Sequence, residues 1–520
     1  MSSSSSTGAV LRPRPGPPVR LGSLFDPQLV GEHRDAPVSG ITLDSRLVRP
    51  GDLYVALPGR SHHGIEFSAT AVGSGAVAVL TDPAGGATVP PQVGGPVVVV
   101  ADPRRSMATV AAQVYGEPAR AMTMFAVTGT NGKTTTTFLL DAALRAAGHH
   151  TGVIGTIGFR LDGRPLPGAR TTVTTPESPE LQALLGYLRQ EGADSVLMEV
   201  SSHALVLGRA DAITFDVAAF TNLGRDHLDF HGDVESYFEA KAALFTRERI
   251  RRAVINVDDP RGVELVERLA GVDAVRVSTV SLSGAADYRA LAYGVGADGR
   301  TEVTARLGER TLDFNLALPG DFNVRNALTA LAMVDLIGAD LDRAAAGLSN
   351  AVVPGRMERV ELGPDTPVVY VDFAHTPQAV AAALGAVGQQ RRIAVLGCGG
   401  DRDGAKRGPM GAAAARAADL VIVTDDNPRS EEPAAIRNQI LAGARAAIQA
   451  EGLSTVLIDG GERTAAIRQA LQLAAAGDVV AILGKGHENG QQLADRVVPF
   501  SDAEVASTEW QALTRVRSGS

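Results

Sequence analysis

Short apolar segments that alternate with helical patterns predict an α/β fold for most of this 520-residue chain. The alternation begins near residue 106, is interrupted at Pro354 and Gly355, and then starts again. Each of the two stretches is typical of a mainly parallel sheet covered by helices. A chain of this length is also expected to contain three or four domains of ordinary size. We therefore predict an α/β protein of three domains.

The predicted domain boundaries follow changes in composition along the chain. Residues 1–20 are rich in Ser, Pro and Arg, which predicts a disordered tail. Residues 21–105 contain short β-type segments separated by turns, which predicts a small N-terminal α/β domain. Residues 106–351 then form a central domain, and residues 352–520 form a C-terminal domain with a doubly wound sheet.

Composition excludes several classes of function. A net charge of −9 gives no chain-wide attraction to nucleic acid or to anionic membranes. The single cysteine, Cys398, excludes internal disulfides and zinc sites built from several cysteines. No apolar segment approaches the ~20 residues that span a bilayer, and the N-terminus lacks the apolar centre of a secretory signal. We expect a cytoplasmic protein that neither binds nucleic acid nor inserts into a membrane.

Lysine is scarce, and the few lysines are candidate functional residues. Only four of the 49 Lys and Arg residues are lysine: Lys133, Lys241, Lys406 and Lys485. An ammonium is a compact charge that fits a phosphate cradle, and it can lose its proton for chemistry. Three of the four stand among glycines and polar residues. The alternative is that these lysines survive by chance.

A phosphate-binding loop is predicted at residues 128–134, which read Thr-Gly-Thr-Asn-Gly-Lys-Thr. The loop follows an apolar strand and opens a helical stretch, so backbone N–H groups and a helix N-terminus would face a phosphate. In such a loop Lys133 reaches the β- and γ-phosphates, and the Thr134 hydroxyl ligates Mg²⁺. The strict pattern has glycine where Val127 stands, so this loop is a variant. The alternative is a structural glycine turn.

Acidic residues and histidines follow the next strands. Glu199 ends an apolar strand, a position well placed for a Mg²⁺ ligand. Two histidines and two aspartates then lie close together in the sequence: Asp226, His227, Asp229 and His231. They could ligate metal or hold phosphate, and a hydrogen-bonded surface turn is the alternative. Lys241 follows in a helical stretch and, taken alone, is typical of a solvated helix lysine.

Polar clusters also follow the strands of the C-terminal domain. They occupy residues 372–377, 397–403, 425–429 and 484–488. Each cluster alone could be a polar turn, but their shared position at strand ends favours a binding site for a polar, charged small molecule. Upstream, Asn326 either caps a helix or touches nucleotide.

Taken in order, these motifs resemble the Mur ligase family. The motifs are Gly-Thr-Asn-Gly-Lys-Thr, Glu-Val-Ser-Ser-His, Asp-His-Leu-Asp-Phe-His-Gly, Pro-Gly-Arg-Met-Glu, Asp-Phe-Ala-His-Thr-Pro, Asp-Asp-Asn-Pro-Arg and Gly-Lys-Gly-His-Glu. The resemblance spans residues 41–502 and implies a UDP-binding N-terminal domain, a central P-loop-type ATPase and a Rossmann-like C-terminal domain. The Asp-Asn-Pro-Arg loop resembles that of members which add meso-diaminopimelate to UDP-MurNAc-L-Ala-D-Glu in cytoplasmic peptidoglycan precursor synthesis.

The resemblance also implies roles for individual residues. The UDP-MurNAc-dipeptide would be held by Leu43, Ser45, Arg60, Ser61, His62, Thr174, Thr175, Ser201 and Arg209. ATP would be held by Gly129, Thr130, Asn131, Gly132, Lys133, Thr134, Thr135, Asn326, Arg356 and Asp372. Mg²⁺ would be held by Thr134, Glu199, His227 and Lys241 as N6-carboxylysine, and Lys133, Glu199, His227 and Lys241 would be the catalytic residues. Diaminopimelate would be held by Arg402, Asp426, Asn427, Pro428, Arg429, Gly484 and Glu488.

The implied reaction is an ATP-dependent ligation through an acyl phosphate, carried out by a monomer on three small-molecule substrates. Separate binding domains would imply closure before reaction. Three alternatives stay open at the level of sequence: a ligase that adds L-lysine, a folylpolyglutamate synthase-type ligase, and a non-catalytic nucleotide-dependent scaffold. The Asp-Asn-Pro-Arg loop argues against the first two, and the complete set of catalytic residues argues against the third.

Overall fold

The protein was analysed as a computed structural model that describes residues 11–59, 61–167, 173–224, 226–296, 300–388 and 390–518. The chain forms two compact units. The first comprises residues up to Leu291 together with Thr304–Leu312 and Arg325–Leu348. The second comprises Ala292–Val303, Asp313–Val324 and Ser349–Ser520. The prediction of an α/β protein with mainly parallel sheets is confirmed.

The N-terminal part of the first unit is a four-stranded parallel sheet with short helices. The strands of this sheet are β3 Gly40–Thr42, β4 Asp52–Ala56, β5 Ala78–Thr81 and β6 Val97–Val99. They are preceded in the chain by β1 Val19–Arg20 and β2 Pro37–Val38. Its helices are α1 Leu21–Leu24, α2 Pro27–Val30, α3 Ser68–Gly73, α4 Pro83–Gly86 and α5 Pro103–Val114. Strands β3 to β6 pair in chain order and are all parallel, while β1 and β2 form a separate antiparallel pair.

An eleven-stranded sheet follows, and its middle is parallel. Its strands are β7 Thr123–Thr128, β8 Thr151–Gly155, β9 Gly158–Leu161, β10 Arg164–Pro165, β11 Ser195–Glu199, β12 Phe215–Phe220, β13 Ile250–Asn256, β14 Arg276–Ser281, β15 Tyr288–Val295, β16 Thr301–Leu307 and β17 Arg310–Leu316. The strand order is β10-β9-β8-β11-β7-β12-β13-β14-β15-β16-β17. The helices are α6 Lys133–Ala146, α7 Ser178–Gln190, α8 Ser202–Val206, α9 Leu228–His231, α10 Val234–Ala242, α11 Pro260–Leu269, α12 Asp321–Leu336 and α13 Leu341–Gly347. Strands β8, β11, β7 and β12 are parallel neighbours, so the loops after them meet at one edge of the sheet.

The second unit contains a six-stranded sheet in the order β18-β19-β23-β20-β21-β22. The strands are β18 Glu358–Val360, β19 Val368–Asp372, β20 Arg392–Leu396, β21 Leu420–Thr424, β22 Val456–Gly461 and β23 Val479–Leu483, with a separate hairpin of β24 Gly490–Gln492 and β25 Val497–Pro499. The helices are α14 Pro377–Ala386, α15 Arg407–Ala417, α16 Pro433–Glu451, α17 Arg463–Leu473 and α18 Asp502–Ser518. Only β18 is antiparallel in the six-stranded sheet, so the polar loops after β19, β20, β21 and β23 open at the same edge.

A recurring pair of residues starts several helices. Asp102 precedes Pro103 at the start of α5, and Asp259 precedes Pro260 at the start of α11. In both cases the aspartate side chain accepts a hydrogen bond from a backbone N–H of the first turn. Proline at the first helical position has the required φ and no N–H to satisfy. The sequence therefore fixes where these helices begin.

The segment before β1 is anchored, which differs from the predicted disorder of residues 1–20. Arg12 forms a two-pronged ion pair with Asp52, at 2.7 and 2.9 Å, and its side chain is only 8% exposed. The backbone N–H of Arg14 donates to Gln190 Oε1 at 2.7 Å at the end of α7. Serine-, proline- and arginine-rich composition predicts disorder only when no distant partner is present, and Asp52 is such a partner. Residues 1–10 lie outside the described part of the chain.

Candidate active site

The phosphate loop lies between β7 and α6 at the carboxyl edge of the large sheet. Gly129 has φ +147° and Gly132 has φ +85°, conformations that L side chains rarely adopt. A Cβ at Gly129 would lie 2.0 Å from Thr221 Oγ1, and one at Gly132 would lie 2.7 Å from Asn326 Oδ1. Both glycines are therefore required by conformation and by space.

Lys133 curls back over this loop. Its Nζ donates to the carbonyl oxygens of Gly129 at 2.8 Å and Thr130 at 2.9 Å. The loop is also tied to Asn222, whose Oδ1 accepts from the backbone N–H of Asn131 at 3.0 Å. The ammonium is thus kept over the loop where a phosphate would bind.

Glu199 lies at the end of β11 and is fully buried. One of its carboxylate oxygens, Oε2, accepts hydrogen bonds from Thr134 Oγ1 and Thr156 Oγ1, both at 2.9 Å. The backbone N–H of Thr156 donates to the other oxygen at 3.0 Å. The structure therefore brings two predicted magnesium ligands, Thr134 and Glu199, into direct contact. Thr156 was missed from sequence; its signal was a Gly-Thr pair ending β8, the strand next to β11.

Lys241 is buried, with a relative exposure of 1%, so its interpretation as a solvated helix lysine is wrong. Its Nζ donates to the Gly129 carbonyl at 2.8 Å and lies 4.5 Å from the centre of the Tyr237 ring. Burial, and secondarily the positive charge of Lys133, lower the pKa of Lys241 well below its usual value. Lys241, although it lies on α10, therefore contacts the phosphate loop.

An aromatic cluster adjoins Tyr237. The ring of His203 lies 4.9 Å from that of His227 and 5.5 Å from that of His231, and His231 lies 5.1 Å from Tyr237. Desolvation and the neighbouring histidines lower the pKa values of His203 and His231. His227 has φ +53° and precedes α9. His203 was missed from sequence, although it stands inside the Glu-Val-Ser-Ser-His motif.

The residues predicted to hold the sugar-peptide lie beside Glu199. Thr175 Oγ1 donates to the Glu199 carbonyl at 2.8 Å and accepts from the Ser201 N–H at 3.2 Å. Arg209 donates to the Thr175 carbonyl at 3.2 Å, and Thr174 Oγ1 lies 3.1 Å from that of Thr156. Together with Thr156 and Glu199, these residues form one hydrogen-bonded network, which reaches the phosphate loop through the contact between Glu199 and Thr134.

The predicted uridine residues lie in the N-terminal part of the same unit. Leu43 and Ser45 follow β3, and Ser45 begins a short 3₁₀ helix. Ser61 and His62 are exposed, and His62 lies 3.1 Å from a Glu66 carboxylate oxygen. Arg60 lies outside the described residues.

The predicted ATP residues are divided between the two units. In the first unit, Asn326 lies inside α12 rather than capping it, and its Oδ1 accepts from Thr136 Oγ1 at 3.3 Å. In the second unit, the Arg356 guanidinium lies 4.3 Å from the centre of the Phe373 ring. Asp372 accepts from the Met357 N–H at 2.8 Å, and burial raises its pKa.

The loops after β21 and β23 meet in the second unit. Asn427 Nδ2 donates to Glu488 Oε2 at 2.7 Å, and a Cβ at Gly484 would lie 2.7 Å from Asp426 Oδ2. Arg429 has φ +51° and donates to Gln492 Oε1 at 2.8 Å. Among the predicted diaminopimelate residues, Asn427 and Glu488 are thus hydrogen-bonded, and Gly484 leaves room for the Asp426 carboxylate.

The remaining residues of that set sit differently. Pro428 is buried in the same loop, whereas Arg402 is exposed in the loop after β20. Arg429 Nη1 donates to the Gly400 carbonyl at 2.6 Å and so ties the two loops together. Burial raises the pKa of Asp426.

Comparison with family models decides the family. The Mur ligase family, catalytic domain, matches residues 37–115; the Mur ligase middle domain matches residues 127–334; and the Mur ligase, glutamate ligase domain, matches residues 355–486. The chain belongs to the Mur ligase family. It is therefore an ATP-dependent, amide-bond-forming ligase, and the resemblance noted from the motifs is confirmed.

Curated relatives of this Mur ligase match it over nearly the whole chain. A UDP-N-acetylmuramoyl-L-alanyl-D-glutamate–2,6-diaminopimelate ligase from Streptomyces avermitilis is 46% identical over 500 residues, covering 94% of this chain and 97% of the relative. A protein of the same name from Xanthomonas campestris is 43% identical and covers 91% and 94%. Both identities are far above the level at which only a fold is shared.

Solved structures give the same picture. A structure of a UDP-N-acetylmuramoyl-L-alanyl-D-glutamate–2,6-diaminopimelate ligase matches with a TM-score of 0.70 and 31% identity, covering 96% of this chain and 99% of that one. A folylpolyglutamate synthase from Mycobacterium tuberculosis matches with a TM-score of 0.57 but only 20% identity, covering 77% of this Mur ligase and 93% of that chain. The second likeness is one of fold alone.

Two further properties of this Mur ligase concern metals and membranes. Within the described residues, no group of three or more His, Cys, Asp or Glu side chains is arranged to hold a metal ion by itself. Across the same residues, no helix combines the length and apolar character needed to cross a bilayer.

Proposed function

We propose that this Mur ligase joins meso-diaminopimelate to UDP-MurNAc-L-Ala-D-Glu while ATP is converted to ADP and phosphate. The names of the Streptomyces and Xanthomonas relatives support this substrate pair. The observation that carries the choice of amino acid is the loop at residues 425–429, where Arg429 is held beside the Asn427–Glu488 pair. The product belongs to peptidoglycan precursor synthesis.

Arg429 supplies the selectivity for diaminopimelate. Diaminopimelate differs from L-lysine by a second carboxylate at the far end of its side chain. A guanidinium offers a planar fork that pairs with a carboxylate through two hydrogen bonds. A site built around such a charge rejects an analogue without the carboxylate, because the guanidinium would be left without its partner.

Glu488 is the stronger candidate for the ammonium at that same end of the substrate. Its side chain is 36% exposed, so a ligand can reach it. Asp426 is only 8% exposed, and burial raises its pKa, which disfavours its charged form. We therefore assign the ammonium to Glu488 and a supporting role to Asp426.

The chemistry proceeds through an acyl phosphate. The glutamate carboxylate attacks the γ-phosphorus of ATP, the bond to ADP breaks, and the carboxyl carbon becomes a good acceptor. The amine of diaminopimelate then attacks that carbon, loses a proton, and expels phosphate. Little covalent chemistry is left to the protein, whose task is to position the groups and neutralise their charge.

Lys133 carries the main neutralising charge for the transferring phosphoryl group. It already lies over the loop within 2.9 Å of two backbone carbonyls, and a phosphate would replace these weak partners. Thr175, Ser201 and Arg209 lie next to Glu199 and would hold the acceptor peptide against the same edge. The γ-phosphate of ATP and the glutamate carboxylate that accepts it would then meet at the end of β11.

Mg²⁺ fits the donor atoms at this edge. Thr134 Oγ1 and Glu199 Oε2 are oxygen ligands of the kind that Mg²⁺ prefers, and they face each other at 2.9 Å. Mg²⁺ usually binds one or two carboxylates together with substrate phosphates and waters, so no all-protein cage is required. We assign its binding to Thr134, Glu199, His227 and modified Lys241. The ion would neutralise charge on phosphate oxygens.

Lys241 is the residue that the family resemblance assigns to N-carboxylation. Carbamate formation joins the unprotonated amine to CO₂ and releases one proton. The lowered pKa of Lys241 and its place beside Gly129 support this assignment, because a lowered pKa favours the unprotonated amine that CO₂ requires, and this amine is close to the phosphate loop. The modification would turn a cation into a carboxylate ligand.

All substrates are small molecules, and we propose that the protein is a monomer. We also propose that it is cytoplasmic, since ATP and UDP-sugars are cytoplasmic.

The proposed function is tested by measuring phosphate release. Purified protein is supplied with ATP, Mg²⁺ and UDP-MurNAc-L-Ala-D-Glu, and either meso-diaminopimelate or L-lysine is added at equal concentration. We expect release only with diaminopimelate, and efficient release with L-lysine would refute the proposal.

A further inference from the structure

A fully buried ammonium lies behind the amino-acid loops of the second unit. Lys485 has a relative exposure of 0%. Its Nζ donates to Asn427 Oδ1 at 3.0 Å, to Glu488 Oε2 at 3.1 Å and to the Gly490 carbonyl at 2.7 Å. An ammonium has three donors, and here each of them has an acceptor.

This arrangement requires lysine rather than arginine. The three acceptors surround a single nitrogen, whereas a guanidinium spreads five N–H groups over a flat fork. In a buried site a larger planar group would have to displace Asn427 or Glu488. The scarcity of lysine in this chain is thus explained at position 485 by local geometry.

The orientation of Asn427 depends on Lys485. The atom of Asn427 that faces Lys485 also faces the backbone N–H of Gln492 at 2.9 Å, so it must be the amide oxygen. The amide nitrogen is consequently turned toward Glu488 Oε2 at 2.7 Å. Without the ammonium, the oxygen would keep one donor and the amide would be freer to turn.

The orientation of Glu488 depends on it as well. Oε2 receives hydrogen bonds from both Lys485 and Asn427, which fixes the plane of the carboxylate. The Glu488 side chain is 36% exposed while Lys485 is 0% exposed. A ligand can therefore meet Glu488 but not the ammonium behind it.

We propose that Lys485 is a positioning residue for the incoming amino acid: it orients the Asn427 amide and the Glu488 carboxylate without touching substrate. This inference rests on the proposed function, in which those two side chains bind diaminopimelate. It predicts a defect confined to the amino-acid substrate. A residue needed only for folding would instead lower stability and leave the Michaelis constants unchanged.

The test compares Lys485→Met with Leu471→Ala in the full-length protein. Leu471 is fully buried in the core of the same unit, in α17, so its truncation lowers stability without altering the Asn427–Glu488 pair. We expect Lys485→Met to raise the KM for diaminopimelate at least about tenfold, the loss of one hydrogen bond to a charged group. The KM for ATP should stay within about twofold, and Leu471→Ala should keep both constants while unfolding at a lower temperature.

Two results would overturn the inference: an unchanged KM for diaminopimelate in folded Lys485→Met, or equal rises in KM for all three substrates. Lys485→Arg tests the geometry, and we expect it to share the defect; a normal KM in this variant would show that charge alone suffices. If Lys485→Met does not fold, Lys485→Gln, which retains donors, takes its place in the same comparison.

The proposed function can fail separately. If the wild-type protein releases phosphate with L-lysine instead, the same constants are measured for L-lysine. Hydrogen exchange at the backbone N–H of Gln492, which donates to Asn427 Oδ1, can be measured without any substrate. We expect faster exchange there in Lys485→Met than in Leu471→Ala at matched distance from unfolding, and equal exchange would contradict the positioning role.

Discussion

Lys241 beside the phosphate loop and Lys485 beside Asn427 and Glu488 are both buried, but different groups surround the two side-chain nitrogens. At the phosphate loop, Lys241 donates to the neutral carbonyl of Gly129, and the nearby charge of Lys133 lowers its pKa further. In the second unit, Lys485 lies 3.1 Å from a carboxylate oxygen of Glu488. Lys241 thus faces a carbonyl group and a second cation, whereas Lys485 is paired with a carboxylate.

This difference indicates what each region is built to do. Positive charge held against carbonyl dipoles remains available to an incoming anion, and it is worth more in a site that excludes water. A cation already paired with a carboxylate attracts a ligand less, but it fixes the groups around it. Substitutions at the loop should therefore reduce turnover, and substitutions in the second unit should reduce stability or substrate selectivity.

Lys133→Ala should have the largest effect. It removes the charge that we propose faces the transferring phosphoryl group, and comparable cations contribute about 10³–10⁵ in rate. We expect kcat to fall by at least about 10³ in a phosphate-release assay. Thermal unfolding should change by less than about 2 °C, because Lys133 is itself half-buried and its ammonium contacts two loop carbonyls rather than core side chains. A variant with near-normal turnover would end the contrast between the two regions.

Lys241→Ala should come next, with turnover reduced by roughly 10³, in line with the loss of a group that stabilises charge in the transition state. The proposed carbamate would be missing, so short carboxylic acids such as acetate should restore part of the activity. Lys406→Ala serves as the control, because Lys406 lies at the start of α15 in the other unit. An active, Mg²⁺-bound crystal form with an unmodified Lys241 ammonium would contradict the proposal.

The loop positions were predictable because strand, glycines and helix are contiguous in sequence. Glu199 was predictable for a similar reason, since a polar residue ending an apolar strand marks the carboxyl edge of a sheet. Thr156 was not, because its partner Glu199 is adjacent only through the order β8-β11-β7, which no local pattern reveals.

Burial was the other property that sequence did not reveal. The helical pattern around Lys241 gives no sign that this face of α10 packs against Gly129, which is 112 residues away. Arg12 was likewise assigned to a disordered tail, although Asp52 lies 40 residues further on. Long-range pairing overrides local composition in both cases. The scarcity of lysine and the family resemblance, rather than the local helical pattern, indicated a role for Lys241.

In the second unit, substitution of a paired buried charge should lower the free energy of unfolding. Arg463 and Asp502 form an ion pair in which both side chains are 0% exposed. Asp502→Ala leaves a buried guanidinium without its carboxylate, and we expect a loss of about 3–5 kcal/mol in the free energy of unfolding. Denaturant unfolding can be followed through Trp510, the only tryptophan, which lies in the same helix as Asp502.

The matched control for this prediction is the double variant Arg463→Met/Asp502→Leu. It removes both charges and fills the space with apolar groups, which is often nearly neutral for a buried pair. If the single and double variants are equally destabilised, the loss reflects packing, and charge compensation is not what stabilises this unit.

His487 makes the same region sensitive to acid. Burial, and secondarily the charge of Arg356, lower its pKa to about 4 from 6.5, so the folded state resists protonation that the unfolded state accepts. Stability should therefore fall as pH drops from about 6.5 to 4, by about 3 kcal/mol at 1.36 kcal/mol per unit. The loss is measured as the wild-type value minus that of His487→Gln, which does not titrate. Parallel pH curves for the two proteins would contradict this prediction.

Arg429→Ala should have the smallest effect and the most selective one. Alanine retains a Cβ, so the variant does not relax the left-handed backbone at φ +51°. Loss of a charge-assisted pair with the distal carboxylate costs roughly 1.5–3 kcal/mol, which corresponds to a KM for diaminopimelate raised roughly 10- to 100-fold.

L-lysine has no such carboxylate, so Arg429→Ala should change the high KM for L-lysine little. The difference between the KM values for L-lysine and diaminopimelate should therefore become smaller. The KM for ATP should not move. Arg445→Ala, an exposed arginine on α16, controls for loss of positive charge in this unit. Should Arg429→Ala raise the KM for both amino acids equally, the guanidinium would serve loop structure, through Gly400 and Gln492, rather than selectivity.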